Sequence, residues 1–220
     1  MNGKKLSEIK YGWFLFIVDF ILPLPLTALA LWLWYLRTAN FAFTLYVVLL
    51  PLFFGYLIPG IATNKLRLWA FKWNYLRVGN YFLHHGFMYA PYFALSLYAT
   101  FGEFGPLSVT HWITILISNS FLQCFLTSLH DYLGLQSGMI EIYNKPYREG
   151  KSKAEIFLDY GPVGYALFGF TYTLSCLLAH TFLNGSVLNF ILFLLAGLAL
   201  MSLAGVHYLF HEKIWKSKVH

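Results

Sequence analysis

Apolar residues along the chain form six long segments, which short polar stretches separate. A helix needs about 20 mostly apolar residues to cross the hydrocarbon core of a bilayer. The segments are Gly12–Leu36, Phe41–Ala62, Tyr81–Phe101, Leu107–His130, Pro162–Leu183 and Val187–His211. They are too long, and alternate too weakly, for the roughly ten-residue strands of a membrane β-barrel. The pattern therefore predicts an all-α fold, a polytopic membrane helix bundle with six transmembrane helices.

The basic residues lie on one side of this predicted bundle. With the N-terminus in the cytosol, only Arg37, one of the 15 Lys and Arg residues, falls on the outer side. Positive charge accumulates in the cytosolic loops of membrane proteins. We therefore expect both chain termini to be cytosolic.

The longer connections also lie on the cytosolic side, at residues 63–80 and 131–161. The first mixes aromatic with basic residues, which predicts a helix lying in the lipid headgroup layer. In the second, Ser152 and Glu155 have the spacing of a capping box that opens a short helix. With so little chain outside the lipid, we treat residues 1–220 as a single integral membrane domain.

Composition agrees with a membrane protein, since 59% of the residues are hydrophobic, 11% are charged and the mean hydropathy is +0.60. Soluble domains carry about 25% charged residues, so a soluble enzyme, a disordered chain and a nucleic-acid-binding domain are excluded. The net charge of +6 marks the cytosolic face and predicts no nucleic-acid partner. The two cysteines lie inside apolar runs and indicate no disulfide framework.

Ionisable side chains inside membrane segments are costly and indicate a functional site. Five of the eight histidines fall at the cytosolic side, on three different segments: His84, His85, His130, His207 and His211. His207 and His211 are four residues apart, so both rings can reach one metal ion from the same helix face.

A stripe of polar and aromatic residues at helical spacing favours His85 over His84 as the residue that faces the same centre. The stripe runs through Tyr81, His85, Tyr89, Tyr92 and Ser96.

The fourth segment carries a second polar stripe at helical spacing, formed by Asn119, Gln123, Thr127 and His130. Such a stripe can form one wall of a pocket that leads to the histidines. Alternatively, it supplies hydrogen bonds between helices.

The first hypothesis is a metal-dependent membrane enzyme that hydrolyses or oxidises a lipid or isoprenoid. Zinc or iron activates water or oxygen at such sites, and a carboxylate serves as the base. The metal ligands would be His85, His130, His207 and His211; the catalytic carboxylates Asp131 and Glu141; and the substrate-binding residues Arg77, Tyr89, Asn119, Gln123 and Thr127.

The His-x-x-x-His of the last segment, with an upstream His and Asp, resembles membrane hydrolases of the alkaline ceramidase and adiponectin-receptor kind. The resemblance covers only these few residues. Those proteins span the membrane seven times, and their serine-containing motif does not align with this chain. The multi-histidine desaturases and hydroxylases also collect histidines at the cytosolic face, but their His-x-x-His-His boxes are absent here. We assign the sequence to no family.

A haem b-binding electron-transfer subunit is the first alternative, because two histidines on facing helices can be axial haem ligands. His85 with His207 or His130 would form an inner site, and His111 with His180 an outer site.

A small transporter or binding subunit is the second alternative. Asp19 lies just before Pro23 and Pro25, which should break or kink the first helix, and a carboxylate beside a broken helix is typical of transport sites. In every case we expect a hydrophobic small molecule or membrane lipid as ligand. A second copy or another membrane subunit is a possible partner, and the location is the bacterial inner membrane or the endoplasmic reticulum membrane.

Overall fold

A computed structural model describes the backbone of residues 6–216 and the side chains of residues 6–205. After a 3₁₀ turn at Leu6–Glu8, the helical elements are α1 (Gly12–Phe16), a π-helical segment (Ile17–Ile21), α2 (Pro23–Thr38), α3 (Phe41–Asn64), α4 (His85–Thr100), α5 (Val109–Ser137), α6 (Lys145–Arg148), α7 (Lys153–Leu158), α8 (Gly161–Phe182) and α9 (Val187–Lys216). The strands are β1 (Trp69–Phe71), β2 (Arg77–Val78), β3 (Tyr81–Phe82) and β4 (Ile140–Ile142).

The lengths and composition of the helices support the prediction of a membrane protein. Within the described residues, four stretches are long and apolar enough to cross a bilayer: Phe41–Asn64, Val109–Ser137, Lys153–Phe182 and Val187–Gly205. The bent pair Gly12–Ile21 and Pro23–Thr38 would make a fifth span. The 16 residues of α4 extend about 24 Å, less than the roughly 30 Å hydrocarbon core. Six spans and cytosolic termini therefore stay predictions.

The helices pack as a closed ring in the order α2, α4, α5, α8, α9 and α3, with α3 also against α4. We call the end that holds the turns at residues 38–41, 101–108 and 183–187 the hairpin end. The opposite end, which holds β1 to β4, is the strand end. On α5, Ile113, Ile117, Phe121 and Phe125 are all exposed. Their spacing of four places them on one helix face, which forms an apolar surface suited to lipid.

The first predicted segment is broken, as its prolines indicated. Its two parts meet at 49°, and the residues immediately before the break form the π-helical segment. The other segment boundaries agree to within two residues, except that α4 begins only at His85, α5 continues to Ser137 and α9 continues to Lys216.

The connection at residues 63–80 is a correction, because it forms strands where we expected a headgroup helix. β1 pairs antiparallel with β4, with Trp69 opposite Ile142 and Phe71 opposite Ile140, while β2 pairs with β3. The aromatic residues at 69, 71, 73 and 75 recur every second position, which is the period of a strand. The capping box of Ser152 and Glu155 is confirmed at the start of α7.

Candidate functional site

The most unusual feature at the strand end is an imidazole placed between two carboxylates. Asp19 is 1% exposed, and its Oδ1 atom lies 2.8 Å from His130 Nε2. The other ring nitrogen of His130 lies 3.5 Å from Asp131 Oδ1. The protonated ring can donate toward both carboxylates, so the three side chains form one continuous acid–base chain.

The broken first helix positions Asp19 for this contact. Leu22 N donates to Ile17 O at 2.9 Å, the longer bond that defines a π-helical turn. Because Pro23 has no N–H, it cannot donate to the carbonyls of Val18 and Asp19. Side chains of the α4 region bond them instead, since Tyr92 Oη donates to Val18 O at 2.6 Å and His84 Nε2 lies 2.8 Å from Asp19 O. Single π-helical turns are frequent at functional sites.

Two tyrosines extend the chain on the other side of Asp131. The hydroxyl of Tyr160 donates to Asp131 Oδ2 at 3.0 Å, and the hydroxyl of Tyr165 donates to the same oxygen. Both residues lie at the start of α8, which packs along α5. A path of ion-pair and hydrogen-bond contacts therefore runs from Asp19 through His130 and Asp131 to Tyr165.

Two cavities meet at this path, and Phe71, Tyr89 and Asp131 line both of them. The first, of about 240 Å³, also contains Asp19, His85 and His130, and we call it the histidine cavity. The second, of about 200 Å³, is the apolar cavity. Its further lining includes Phe54, Ile58, Trp69, Ile140, Ile142 and Phe168.

His85 lies in the histidine cavity without a hydrogen bond. Its side chain is 2% exposed, and its ring centroid lies 4.9 Å from that of Phe71, 5.9 Å from Tyr81 and 5.2 Å from Tyr89. Neither ring nitrogen has a partner among the described residues, and the same holds for Asp19 Oδ2. Buried polar atoms are nearly always hydrogen-bonded, so this cavity offers its polar atoms to a bound molecule.

The structure brings most of the predicted site residues together. His85, Tyr89, Gln123, Thr127, His130 and Asp131 all line the histidine cavity. Gln123 also donates to Tyr92 O at 3.3 Å and to the Ser96 hydroxyl, so it joins helices as well as lining the cavity.

Asn119 lies away from both cavities. Its amide donates to the Thr173 hydroxyl at 2.8 Å, which is the helix-joining role weighed for the polar stripe. Substrate binding by Asn119 has no support from this position.

Glu141 is not among the residues that line either cavity. It lies on β4 between Ile140 and Ile142, which face the apolar cavity, so its own side chain points to the opposite face. There it forms an ion pair of 2.7 Å with Lys72 and accepts a hydrogen bond of 2.9 Å from Tyr143. Burial raises the pKa of Glu141, but these hydrogen bonds outweigh burial and lower it, while the bond to Glu141 raises the pKa of Lys72. Glu141 therefore faces Lys72 and not the cavities, and its catalytic role stays a prediction that this position does not support.

Comparison places the chain in no family. No family model matches it, and no characterised protein or solved structure is significantly similar. Functional inference therefore depends on the site itself.

The described residues do not form the predicted metal centre. Among the side chains of residues 6–205, no group of three His, Cys, Asp or Glu residues is arranged to hold a metal ion. Each ring nitrogen of His130 lies near a carboxylate oxygen, at 2.8 Å from Asp19 and 3.5 Å from Asp131. The side chains of His207 and His211, the other two expected ligands with His85, lie outside the described residues.

The outer histidines of the haem alternative lie at the hairpin end. His111 is exposed in the first turn of α5. His180 is partly buried, and its ring packs against those of Phe43, Phe101 and Phe104 at centroid distances of 5.7, 5.4 and 4.6 Å. Haem binding stays a prediction.

From the sequence, Asp19 was a candidate transport residue and His130 a candidate metal ligand, although the two side chains are hydrogen-bonded. The proline-rich break beside Asp19 was the available signal, but 111 residues separate it from its partner. Tyr160 and Tyr165 were missed entirely, because tyrosines are frequent throughout this chain and only the fold identifies which ones reach Asp131.

Proposed function

We propose that the protein is an integral membrane enzyme that binds a lipid or isoprenoid in the two cavities and performs acid–base chemistry on it. The observation that carries this proposal is the buried chain of Asp19, His130 and Asp131, whose last carboxylate lies in the wall of both cavities. A buried ion pair surrounded by apolar side chains costs desolvation energy. Its placement in cavity walls favours a catalytic role over a purely structural one.

The chemistry follows from the donors and acceptors that line the cavities. The His130 ring lies between two carboxylates, and Asp131 is hydrogen-bonded to the hydroxyl groups of Tyr160 and Tyr165. A substrate hydroxyl or carbonyl group in the histidine cavity would contact the unpartnered nitrogens of His85. Proton transfer along the chain would then support bond cleavage or formation at that group.

The test is a comparison of lipid conversion by the wild type and His130→Gln. The purified proteins are incubated with a total membrane lipid extract, and the products are quantified by mass spectrometry. Glutamine can still donate to Asp19 but carries no transferable ring proton, so we expect conversion to fall roughly 10²–10⁴-fold. His180→Gln, which changes the histidine at the hairpin end, is the matched control and should convert lipid like the wild type.

Thermal unfolding of each variant shows whether the fold is retained. Equal conversion by the wild type and His130→Gln would overturn the proposal, as would a wild type that converts no lipid in the extract.

A metal-dependent enzyme with zinc or iron is the second candidate, and the free ring nitrogens of His85 favour it. Metal analysis of the purified wild type tests it directly. Near-stoichiometric zinc or iron that His85→Ala removes would support this candidate, and metal-free protein that converts lipid would exclude it.

A further inference from the structure

The ribbon formed by β1 and β4 has two chemically different faces. Ile140 and Ile142 on β4, and Phe71 on β1, face the apolar cavity. The opposite face and the adjoining loops form a second pocket, which is polar and basic. Its lining includes Thr63, Arg67, Lys72, Arg77, Asn80 and Tyr143.

Arg67 precedes β1 with a left-handed backbone conformation (φ 51°) and lies in the basic pocket. Its neighbours Leu66 and Leu68 line the apolar cavity, whereas Arg67 lines the basic pocket. Trp69 lines both. The Trp69 side chain is therefore a common wall of the apolar cavity and the basic pocket.

Among the described residues, only one of the three basic side chains in this pocket is paired with a carboxylate. Lys72 is paired with Glu141 at 2.7 Å. Arg77 donates from Nε and Nη2 to Gly79 O, at 3.3 and 2.9 Å, which fixes the guanidinium without neutralising it. Within residues 6–205, no ion pair is described for Arg67 or Arg77. Two arginines that line one pocket favour a multiply charged oxyanion such as phosphate, because each planar guanidinium can donate two parallel hydrogen bonds to its oxygens.

We propose that the ligand is a lipid with an anionic phosphate headgroup, which Arg67 and Arg77 bind in the basic pocket while its chain enters the apolar cavity. This inference rests on the proposed function, whose substrate class it specifies. Asp131 lines the apolar cavity but not the basic pocket. The reacting bond therefore lies in the lipid chain and not in the headgroup.

Binding to the full-length protein in a neutral detergent tests the inference. The probes are dioctanoyl phosphatidic acid, dioctanoylglycerol with the same chains but no phosphate, and inorganic phosphate. Titration calorimetry or native mass spectrometry gives the affinities. We expect the wild type to bind the phosphatidic acid roughly 30-fold more tightly than dioctanoylglycerol, because two arginines contact its phosphate.

The double variant Arg67→Gln/Arg77→Gln should remove this difference while still binding dioctanoylglycerol. A matched control, Lys145→Gln/Lys151→Gln, deletes two positive charges from the same end of the molecule outside the pocket and should bind like the wild type. If Arg67→Gln/Arg77→Gln also fails to bind dioctanoylglycerol, the variant Arg67→Lys/Arg77→Lys, which keeps both positive charges, is measured in its place. Recovery of phosphatidic acid binding by that variant supports the inference, and continued loss overturns it.

Two outcomes overturn the headgroup assignment. One is unchanged phosphatidic acid binding in Arg67→Gln/Arg77→Gln. The other is inorganic phosphate binding as tightly as the lipid, which would indicate a site for free phosphate.

Failure of the proposed function has a different signature. His130→Gln should bind phosphatidic acid like the wild type, because His130 is not in the basic pocket. If binding depends on the arginines but no lipid is converted, only the enzymatic proposal fails. If lipid conversion depends on His130 but phosphatidic acid binds equally well to Arg67→Gln/Arg77→Gln, only the headgroup inference fails.

Discussion

At the hairpin end of the bundle, the polar atoms of Trp34 and Arg37 donate hydrogen bonds to backbone carbonyl groups. Trp34 is fully buried, and its Nε1 donates to Ala94 O at 2.9 Å. Arg37 donates to Tyr98 O at 2.6 Å, with its guanidinium 3.4 Å from the Tyr98 ring centroid. At the strand end, Asp19 and His85 are equally buried but keep oxygen and nitrogen atoms without partners.

The contrast separates packing from function. Satisfied polar atoms in an aromatic core stabilise a fold and need no ligand. Buried atoms without partners cost roughly 1–3 kcal/mol each. A fold that retains several such atoms beside a cavity gives up stability for binding or chemistry.

The largest expected effect on stability comes from Trp34→Ala at the hairpin end. Truncation removes a ring that packs edge-on against Phe43, Tyr98 and Phe101 and breaks its hydrogen bond to Ala94. We expect a loss of about 3–5 kcal/mol in unfolding free energy, measured by unfolding in detergent. Lipid conversion per folded molecule should be unchanged. A selective loss of activity without destabilisation would contradict the division between the two ends.

His85→Phe should act in the opposite direction. Phenylalanine fits the surroundings of Phe71, Tyr81 and Tyr89 and leaves no buried nitrogen unpartnered, so unfolding free energy should rise by about 1–2 kcal/mol. Lipid conversion should fall because the polar contact with the substrate is lost. His180→Phe is the control, because His180 is also surrounded by aromatic rings. This variant should change the unfolding free energy and lipid conversion only slightly. Lower stability together with full activity in His85→Phe would show that His85 is an ordinary core residue.

The smallest effect is expected at the ion pair of Lys72 and Glu141, on the outside of the ribbon. Glu141→Gln should reduce stability near neutral pH by about 0–1 kcal/mol, as is typical of partly exposed pairs. Because the pKa of Glu141 is lowered in the folded protein, its contribution is present above its usual pKa. That contribution is lost as the pH falls below about 4.

Thermal unfolding of the wild type and Glu141→Gln between pH 3 and pH 7 measures this contribution. The two curves should converge at the acid end. A large loss of lipid conversion in Glu141→Gln at neutral pH would restore Glu141 to the catalytic site.

Much of the fold followed from local patterns in the sequence. The break before Pro23, the capping box at Ser152 and most helix boundaries depend on neighbouring residues, so spacing and residue type were sufficient. The connection at residues 63–80 was mistaken because basic and aromatic residues suit both a headgroup helix and a twisted ribbon. The aromatic residues of this connection recur every second position, which indicated a strand. The partner strand β4, however, lies about 70 residues away in the chain.

Apolar segments of bilayer length were sufficient to predict a helical membrane protein. The polar exceptions were also visible in the sequence, with His85 and His130 inside two segments and Asp131 directly after the second of these. Three features became visible only in the folded chain. Asp19 contacts His130, Glu141 contacts Lys72, and Trp69 lines both the apolar cavity and the basic pocket. The physical reason is that hydrophobic length is a local property of the chain. Which carboxylate meets which histidine depends on helix packing and on a carbonyl freed by a proline, and these bring together residues far apart in sequence.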